Sequence, residues 1–222
     1  MKIWYTGCMP FSTLFIDLDD TLYPVESGVW MAIRQRIDLY VMQRFQLSLE
    51  DARARRHELF LRYGTTMRGL QAEYQVNEDE YLAFVHDVPL ASFLHPNPGL
   101  CQMLQNYPQR RVIFTNADSN HARRVLDVLG LSACFQQIID IKAMAPYCKP
   151  MQEAFRIALE RAGESDPARC VLVDDQVHNV RAAQAFGMHA IRVGPLEEGF
   201  ELASISRLED LPVVLPWDGA NR

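Results

Sequence analysis

The sequence predicts an α/β protein with a parallel sheet, interrupted after its first strand by an insert that is entirely helical. Short apolar runs alternate with helical segments between residues 99 and 193, which is typical of βαβ units. One earlier apolar run, at residues 14–16, is separated from this series by a long stretch without a convincing strand. Several of the apolar runs end in polar side chains. Because the carboxyl ends of parallel strands meet at one edge of a sheet, these side chains are expected to converge.

The insert is predicted to contain four helices, because apolar side chains recur in it every three or four residues. Residues able to cap a helix stand at two of the predicted starts, Ser48 and Asn77. Gly64 is predicted to end the second helix. The four predicted helices cover residues 29–45, 51–63, 66–74 and 77–86.

Beyond the turn at residues 95–99, which is rich in Pro and Asn, helices and strands are predicted to alternate in right-handed crossover units. The predicted strands cover residues 111–114, 137–139, 170–173 and 189–193. The predicted helices between them cover residues 99–106, 119–129, 151–162 and 179–186. The predicted domains are an α/β core of residues 9–23 and 97–216 and a helical domain of residues 24–96. The segment from residue 211 onward has no predicted placement.

Composition and charge restrict the partners. The chain has 22 Lys and Arg against 28 Asp and Glu, a formal net charge of -6, which disfavours a nucleic-acid polymer. No apolar run is long enough to span a bilayer, and residues 1–10 lack the features of a signal peptide. A cytoplasmic location without a membrane partner is therefore predicted, and the oligomeric state stays open. Reduced thiols rather than a zinc site are predicted for the cysteines, Cys8, Cys101, Cys134, Cys148 and Cys170.

The strongest functional signal is the acidic cluster that ends the first predicted strand. Asp17, Asp19 and Asp20 stand close together there, with no basic residue nearby. In an extended chain residues two apart point the same way, so Asp17 and Asp19 are expected to face one small volume. Like charges that close repel, and a bound cation or a shared proton must relieve them. The alternative for an isolated triplet is an Asp-rich turn or a helix cap.

More polar residues follow the later predicted strands. Thr115 and Asn116 follow the strand at residues 111–114, and Asp174 and Asp175 follow another, while Lys149 lies just before a predicted helix. Taken singly, each has another explanation, such as a helix entry, a cap or a solvated lysine. Together, in this order at the ends of predicted strands, they favour a single active site.

The sequence resembles the haloacid dehalogenase-like superfamily of hydrolases over residues 13–194. Residues 17–21, Asp-Leu-Asp-Asp-Thr, are similar to its Asp-x-Asp-x-Thr motif, and Thr115, Lys149 and the Asp174-Asp175 pair are similar to the three later motifs. The resemblance implies a Rossmann-like core of helices and parallel sheet with a cap domain inserted after the first strand. It also implies phosphate ester hydrolysis with Mg²⁺ through an aspartyl phosphate.

The resemblance also implies a role for each residue, and the chemistry of the residues agrees with those roles. Asp17 would be the nucleophile, and Asp19 would protonate the leaving oxygen and later deprotonate water, which requires a proton on Asp19 at the start. The oxygen ligands of Mg²⁺ would come from Asp17, the carbonyl of Asp19, Asp174 and Asp175. The remaining groups would hold the phosphoryl oxygens, offset their charge and orient the loop; these are Thr115, Asn116, Lys149 and Thr21.

Asp19 separates the reactions found in this superfamily. A departing halide needs no proton and its displacement from carbon needs no metal, whereas a departing alkoxide benefits from an acid. Asp19 together with Asp174 and Asp175 therefore favours phosphate chemistry over dehalogenation. A phosphomutase would use the same residues and stays open.

The insert resembles the pyrimidine 5'-nucleotidase branch at residues 63–70 and 84–87. This resemblance implies a nucleoside 5'-monophosphate as the small-molecule substrate. Thr65, Thr66 and Arg68 would hydrogen-bond the base or ribose, and Tyr63 or Tyr23 would stack.

Other interpretations of the insert and of the whole chain stay open. Thr65 and Thr66 could merely cap a helix, and Trp30 is predicted to lie in the helical core. The chain could also hydrolyse phosphoglycolate or a sugar phosphate, or bind a phosphorylated ligand with little catalysis. The histidines are predicted to be structural, with His178 and Asn179 placed to support the Asp174-Asp175 pair.

Overall fold

A computed structural model describes residues 11–195 and 201–217. Within these residues, six parallel strands form one sheet in the order β3-β2-β1-β4-β5-β6. Their bounds are β1 Thr13–Ile16, β2 Arg110–Phe114, β3 Gln137–Ile139, β4 Cys170–Asp174, β5 His189–Val193 and β6 Ala203–Ile205. This is the strand order of a Rossmann-like fold, so the predicted fold class is confirmed.

The described residues also form helices before, between and after the strands. Four follow β1: α1 Val29–Phe45, α2 Leu49–Tyr63, α3 Thr66–Tyr74 and α4 Glu78–Val85. The later ones are α5 Pro98–Gln105, α6 Ser119–Leu129, α7 Gln152–Ala162, α8 Val177–Ala185 and α9 Leu211–Val214. In this part of the chain, no helix has the length and apolar character needed to cross a membrane.

Strands β1 and β4 lie at the centre of the sheet and are buried along their whole length. Continuous burial explains their unbroken apolar sequences, because a parallel sheet is covered on both faces. The strand order reverses between β1 and β4, and Ile16 pairs with Val173 at that point. Ligands of such folds bind beyond the carboxyl ends of the strands at this switch, so Asp17 and Asp174 reach a favourable position.

The four helices after β1 match the predicted insert closely. Ser48 and Asn77 cap α2 and α4, accepting hydrogen bonds from Asp51 N at 3.1 Å and Glu80 N at 3.0 Å. Gly64 ends α2 with a φ of 80°, and an added Cβ would lie 2.8 Å from the Cys148 Sγ of the core. Only glycine fits both the left-handed backbone and that close approach. The division into a core and a cap domain remains a prediction.

Two elements near the end of the chain are not predicted by the sequence. Strand β6, Ala-Ser-Ile, has a single buried residue and therefore shows no apolar run, and helix α9 has only four residues. Both pack against the core through buried side chains, Ile205 and Leu211. Cys8 and the rest of residues 1–10, together with residues 196–200 and 218–222, lie outside the described residues.

Candidate active site

A buried lysine lies between two buried carboxylates at the carboxyl edge of the sheet. Lys149 Nζ donates hydrogen bonds to Asp17 Oδ1 at 2.8 Å, to Asp174 Oδ2 at 2.6 Å and to the Phe114 carbonyl at 2.7 Å. Only 1% of Lys149 is exposed. Burial lowers the affinity of an amine for its proton, but the two carboxylates outweigh burial and raise the pKa of Lys149. The lysine therefore stays charged in the core.

The backbone places these three groups with little freedom. Asp17 directly follows β1, and its N–H donates to Val173 O at 2.9 Å, next to Asp174 in β4. Asn116 holds the loop that carries Lys149: Lys149 N donates to Asn116 Oδ1 at 2.9 Å, and Asn116 Nδ2 donates to Lys149 O at 3.0 Å. Asn116, predicted to contact phosphate through its backbone, thus also fixes the lysine.

The carboxylates of this centre leave negative charge that Lys149 alone does not neutralise. Asp17, Asp174 and Asp175 offer ligand oxygens that all lie within 4.8 Å of one another. Burial raises the pKa of Asp17 to about 7 despite the opposing effect of Lys149. Burial, together with the charges of Asp17 and Asp174, raises the pKa of Asp175 to about 8. A set of carboxylate oxygens under such repulsion fits a hard divalent cation such as Mg²⁺.

Asn179 and Thr21 support the acidic centre from behind. Asn179 Nδ2 donates to both oxygens of Asp174, at 3.0 and 3.1 Å, which agrees with its predicted supporting place. Thr21 Oγ1 accepts from Asp175 N at 3.1 Å and so ties the loop after β1 to the end of β4. His178 instead lies edge-on to Phe60 of α2, with ring centroids 6.1 Å apart.

Asp19 lies beside this centre but has partners of its own. Its Oδ1 accepts from the Tyr23 hydroxyl and from His121 Nε2, the latter at 2.8 Å. Burial by itself would raise the pKa of Asp19, but His121 and Tyr23 outweigh it and the net pKa is lowered. The ionised form of Asp19 is therefore favoured in the protein without ligand, and the proton expected on Asp19 at the start of the cycle remains a prediction. His121, predicted to be structural, touches a predicted catalytic carboxylate.

Thr115 and Asp20 belong to the same rim of polar residues at the carboxyl edge of the sheet. Thr115 follows β2, is buried, and accepts a hydrogen bond from Ala117 N at 2.9 Å through Oγ1. Asp20 has a left-handed backbone, with a φ of 57°, and its Oδ1 is buried without a hydrogen-bond partner among the described residues. Burial and the charge of Asp19 raise the pKa of Asp20 to about 6.

A cavity of about 360 Å³ lies between this rim and the helices after β1. Asp17, Asp19, Thr115, Asn116, Lys149 and Asp175 line one side. Another part of the lining comes from residues spaced along single faces of α1 and α2, namely Trp30, Ile33, Arg34, Ile37, Arg56, His57 and Phe60, and Thr65 and Thr66 also line the cavity.

Of the side chains predicted to bind the substrate, Thr65 lines the cavity and Arg68 does not. Thr65 caps α3 by accepting from Arg68 N at 3.1 Å, so it has the alternative capping role and still lines the cavity. Arg68 does not line the cavity. Its guanidinium donates to the carbonyls of Ile141 and Tyr147 and to Gln71 and Glu78, which makes it a structural residue.

Two aromatic predictions are corrected in the same region. Tyr63 does not line the cavity, and its hydroxyl donates to Glu73 Oε1 at 3.1 Å. Trp30, predicted to lie in the helical core, is 39% exposed and lines the cavity. Its spacing from the buried Ile33 made it indistinguishable from a core residue, because periodicity gives the face of a helix and not what covers that face.

Comparisons with known proteins agree with this architecture. Residues 11–187 match the family model described as haloacid dehalogenase-like hydrolase. The chain is 29% identical over 196 residues to phosphate metabolism protein 8 of Saccharomyces cerevisiae. That match covers 81% of the chain and 60% of the yeast protein, so the chain spans less than two thirds of its relative.

Two solved structures share the fold at low sequence identity. L-2-haloacid dehalogenase from Xanthobacter autotrophicus is 17% identical with a TM-score of 0.58, covering 91% of this chain and 97% of its own. A HAD phosphatase from Thermococcus onnurineus is 21% identical with a TM-score of 0.59, covering 92% and 97%. The same fold thus occurs in a dehalogenase and a phosphatase, and the site residues must distinguish the two reactions.

Mg²⁺ is expected to stabilise the protein through the three clustered carboxylates. At a concentration about 100 times its Kd, a ligand specific for the folded state adds about 2.7 kcal/mol to the free energy of unfolding. For a chain of this size that raises Tm by roughly 5 to 10 °C. Asp175→Asn, which removes one half-buried like charge, is expected to reduce this rise by at least about half.

Differential scanning fluorimetry with and without Mg²⁺ measures both effects. Asp87→Asn is the control, because Asp87 is exposed and its ion-pair partner among the described residues is Arg36. It is expected to keep the full rise in Tm. Equal rises in the wild type and in Asp175→Asn would contradict a cation site at this cluster.

Proposed function

The chain belongs to the haloacid dehalogenase-like hydrolase family, and we propose that it is a Mg²⁺-dependent phosphomonoester hydrolase. The observation that carries this proposal is the convergence of Lys149, Asp17, Asp174 and Asp175 beside a cavity. A carboxylate nucleophile, a fixed ammonium group and further oxygen ligands are the parts that phosphoryl transfer needs.

Asp17 is the proposed nucleophile. One of its carboxylate oxygens forms a bond to phosphorus while the bond from phosphorus to the ester oxygen breaks, which leaves an aspartyl phosphate. Lys149, hydrogen-bonded to Asp17, offsets negative charge on the phosphoryl group, and Thr115 and the backbone of Asn116 orient it. Mg²⁺, held by Asp17, Asp174 and Asp175 with the carbonyl of Asp19, would supply charge that neutralises the phosphoryl oxygens.

Asp19 is the proposed acid and base. It is ionised in the protein without ligand, but the negative charge of a bound phosphate raises the pKa of a neighbouring carboxyl and favours its protonated form. The proton passes to the ester oxygen as the alcohol leaves. Asp19 then takes a proton from the water that attacks phosphorus, which releases inorganic phosphate and restores Asp17. A halide would leave without this proton, so Asp19 favours phosphate chemistry over dehalogenation.

The proposed substrate is a nucleoside 5'-monophosphate with a pyrimidine base. The cavity volume of about 360 Å³ lies in the range of pockets for small molecules. Its far side carries two partly exposed aromatic side chains, Trp30 and Phe60, at 39% and 40% exposure. Exposed rings in a cavity suit the flat face of a base. The polar groups beside them, Arg34 and His57, suit the ribose or the base edge.

A small phosphate such as phosphoglycolate is the second candidate. The acidic centre would hydrolyse phosphoglycolate by the same steps. Phosphoglycolate has no ring, however, so the aromatic side chains of the cavity would have no partner. A binding protein with little catalysis is the third candidate, and the presence of both nucleophile and acid beside one cavity argues against it. The cytoplasmic location and the absence of nucleic-acid polymers among the partners remain predictions.

Release of inorganic phosphate from UMP, CMP, AMP and phosphoglycolate, each with Mg²⁺ or with EDTA, tests the proposal. We expect kcat/KM to be highest for the pyrimidine nucleotides and release to cease in EDTA. Ligand binding without turnover of any phosphoester would favour the binding protein. A clear preference for phosphoglycolate would remove the nucleotidase assignment while leaving the phosphatase intact.

Phe60→Ala and Trp30→Ala are expected to weaken nucleotide hydrolysis selectively. Loss of one base-stacking contact costs about 1 to 3 kcal/mol, so kcat/KM for UMP is expected to fall roughly 5- to 150-fold. Hydrolysis of glycerol 2-phosphate, which has no ring, is expected to change by less than about threefold. Steady-state kinetics with both substrates measure the difference.

Neighbouring residues supply matched controls for these variants. Leu61 and Met31 follow Phe60 and Trp30 in the chain, are 68% and 63% exposed, and do not line the cavity. Leu61→Ala and Met31→Ala should leave both substrates unaffected. If kcat/KM of the Phe60→Ala and Trp30→Ala variants falls equally for both substrates, the rings do not recognise the nucleoside.

A further inference from the structure

Asp19 receives two hydrogen bonds on the same oxygen. The Tyr23 hydroxyl and His121 Nε2 both reach Oδ1 rather than Oδ2, the second at 2.8 Å. Tyr23 lies on the same loop, whereas His121 comes from helix α6, 102 residues away in sequence. Both side chains are buried, so neither is a chance surface contact.

The ring of His121 is itself held in place. It stacks on His86, with ring centroids 4.3 Å apart and planes 15° from parallel. His86 Nδ1 is hydrogen-bonded to Asp118 Oδ1 at 3.0 Å, and the same Asp118 oxygen accepts from His121 N at 3.1 Å, at the start of α6. The backbone carbonyl of His86 accepts a hydrogen bond from the Arg124 guanidinium, Nη1, at 2.8 Å. These contacts fix the direction in which His121 Nε2 points.

The burial of His121 leaves one polar atom without a partner, which packing alone does not explain. His121 Nδ1 is buried without a hydrogen-bond partner among the described residues. Nε2 donates to the carboxylate of Asp19, which leaves Nδ1 unsatisfied whether or not it carries a hydrogen. A leucine would fill the same space without leaving a buried polar atom unpaired. The histidine therefore serves a purpose other than filling the core.

We propose that His121 and Tyr23 are positioning residues that anchor Oδ1 of Asp19 and present Oδ2 to the leaving oxygen of the substrate. This inference rests on the proposed function, because it assigns the two residues to the proton transfer of a phosphomonoester hydrolase. A carboxyl group held by one oxygen transfers a proton through the other along a fixed direction, and orientation contributes strongly to such steps. Neither residue contacts the phosphoryl group in this role.

The dependence of the rate on the leaving group distinguishes this role from a general structural one. Release of a nucleoside from UMP needs a proton, whereas release of nitrophenolate from 4-nitrophenyl phosphate hardly does. His121→Leu is expected to lower kcat and kcat/KM for UMP by about 10- to 100-fold, a part of the usual contribution of a general acid. Its kcat/KM for 4-nitrophenyl phosphate should change by less than about threefold, because kcat/KM reports the steps up to departure of the leaving group and not the later hydrolysis of the aspartyl phosphate, which also uses Asp19. Tyr23→Phe should give the same selective loss at a smaller magnitude.

Two further variants show whether His121 acts through Asp19. In the background of Asp19→Asn, His121→Leu should cause no additional loss on UMP, because residues that act as one unit are not additive. His121→Gln, whose amide N–H replaces the Nε2 donor, should recover part of the lost kcat. His95→Leu is the control for removal of a histidine, since His95 is exposed and does not line the cavity.

The outcomes separate the positioning role from the proposed function itself. If the wild type releases phosphate from neither UMP nor 4-nitrophenyl phosphate with Mg²⁺, the proposed function fails. If it hydrolyses both, equal losses of kcat/KM on the two substrates, or a further loss in the Asp19→Asn background, would overturn the positioning role. Should His121→Leu fail to fold, Tyr23→Phe decides, because it keeps the buried ring and removes only the hydroxyl. A Tyr23→Phe enzyme with wild-type kcat on both substrates would then refute the inference.

Discussion

A charged ammonium group held between two buried carboxylates is the interaction on which the rest of the site depends. Lys149 can stay charged in the core only because Asp17 and Asp174 contact it. Removing one partner from such a pair typically costs about 3 to 5 kcal/mol, because the remaining charge is left uncompensated. Both carboxylates lie at the point where the strand order reverses, because β1 and β4 bring them to the same edge of the sheet. Asp175 adds charge that the lysine does not balance, and that excess makes the centre suitable for a cation.

The helices after β1 build the second half of the site and have a different chemistry. The sheet edge presents charged groups to the cavity, whereas α1 and α2 present aromatic rings with Arg34 and His57 beside them. His86 at the end of α4 contacts His121, which in turn contacts Asp19. The helical insert thus reaches the site from two directions, through the wall of the cavity and through the support of the acid and base.

The sequence predicts the acidic centre well because its signal is local. Asp17 and Thr115 directly follow short strands and Asp174 ends another, and parallel strands bring such positions together whatever lies between them. The helices of the insert are equally accessible to prediction, since their caps, Ser48 and Asn77, and their apolar spacing stand in the sequence itself.

The remaining features depend on contacts between distant segments, and no local pattern reveals them. The contact of His121 with Asp19 joins residues 102 positions apart, and neither spacing nor composition marks it. Arg68 has the chemistry of a substrate-binding residue, but carbonyls from the core loop around Ile141 and Tyr147 occupy its guanidinium. Trp30 has the spacing of a core residue and nevertheless faces the cavity. Strand β6 has a single buried residue and shows no apolar run.

Trapping of the covalent intermediate tests most directly whether the buried centre performs phosphoryl transfer. Protein turning over UMP with Mg²⁺ is quenched in acid and treated with borohydride, which reduces an acyl phosphate to an alcohol, and the peptides are then analysed by mass spectrometry. Asp17 is predicted to be converted to homoserine only when substrate and Mg²⁺ are both present, with no conversion at that position in Asp17→Asn. Phosphate release at the full rate with an unmodified Asp17, or with conversion of Asp19 instead, would contradict the assignment of Asp17 as the nucleophile.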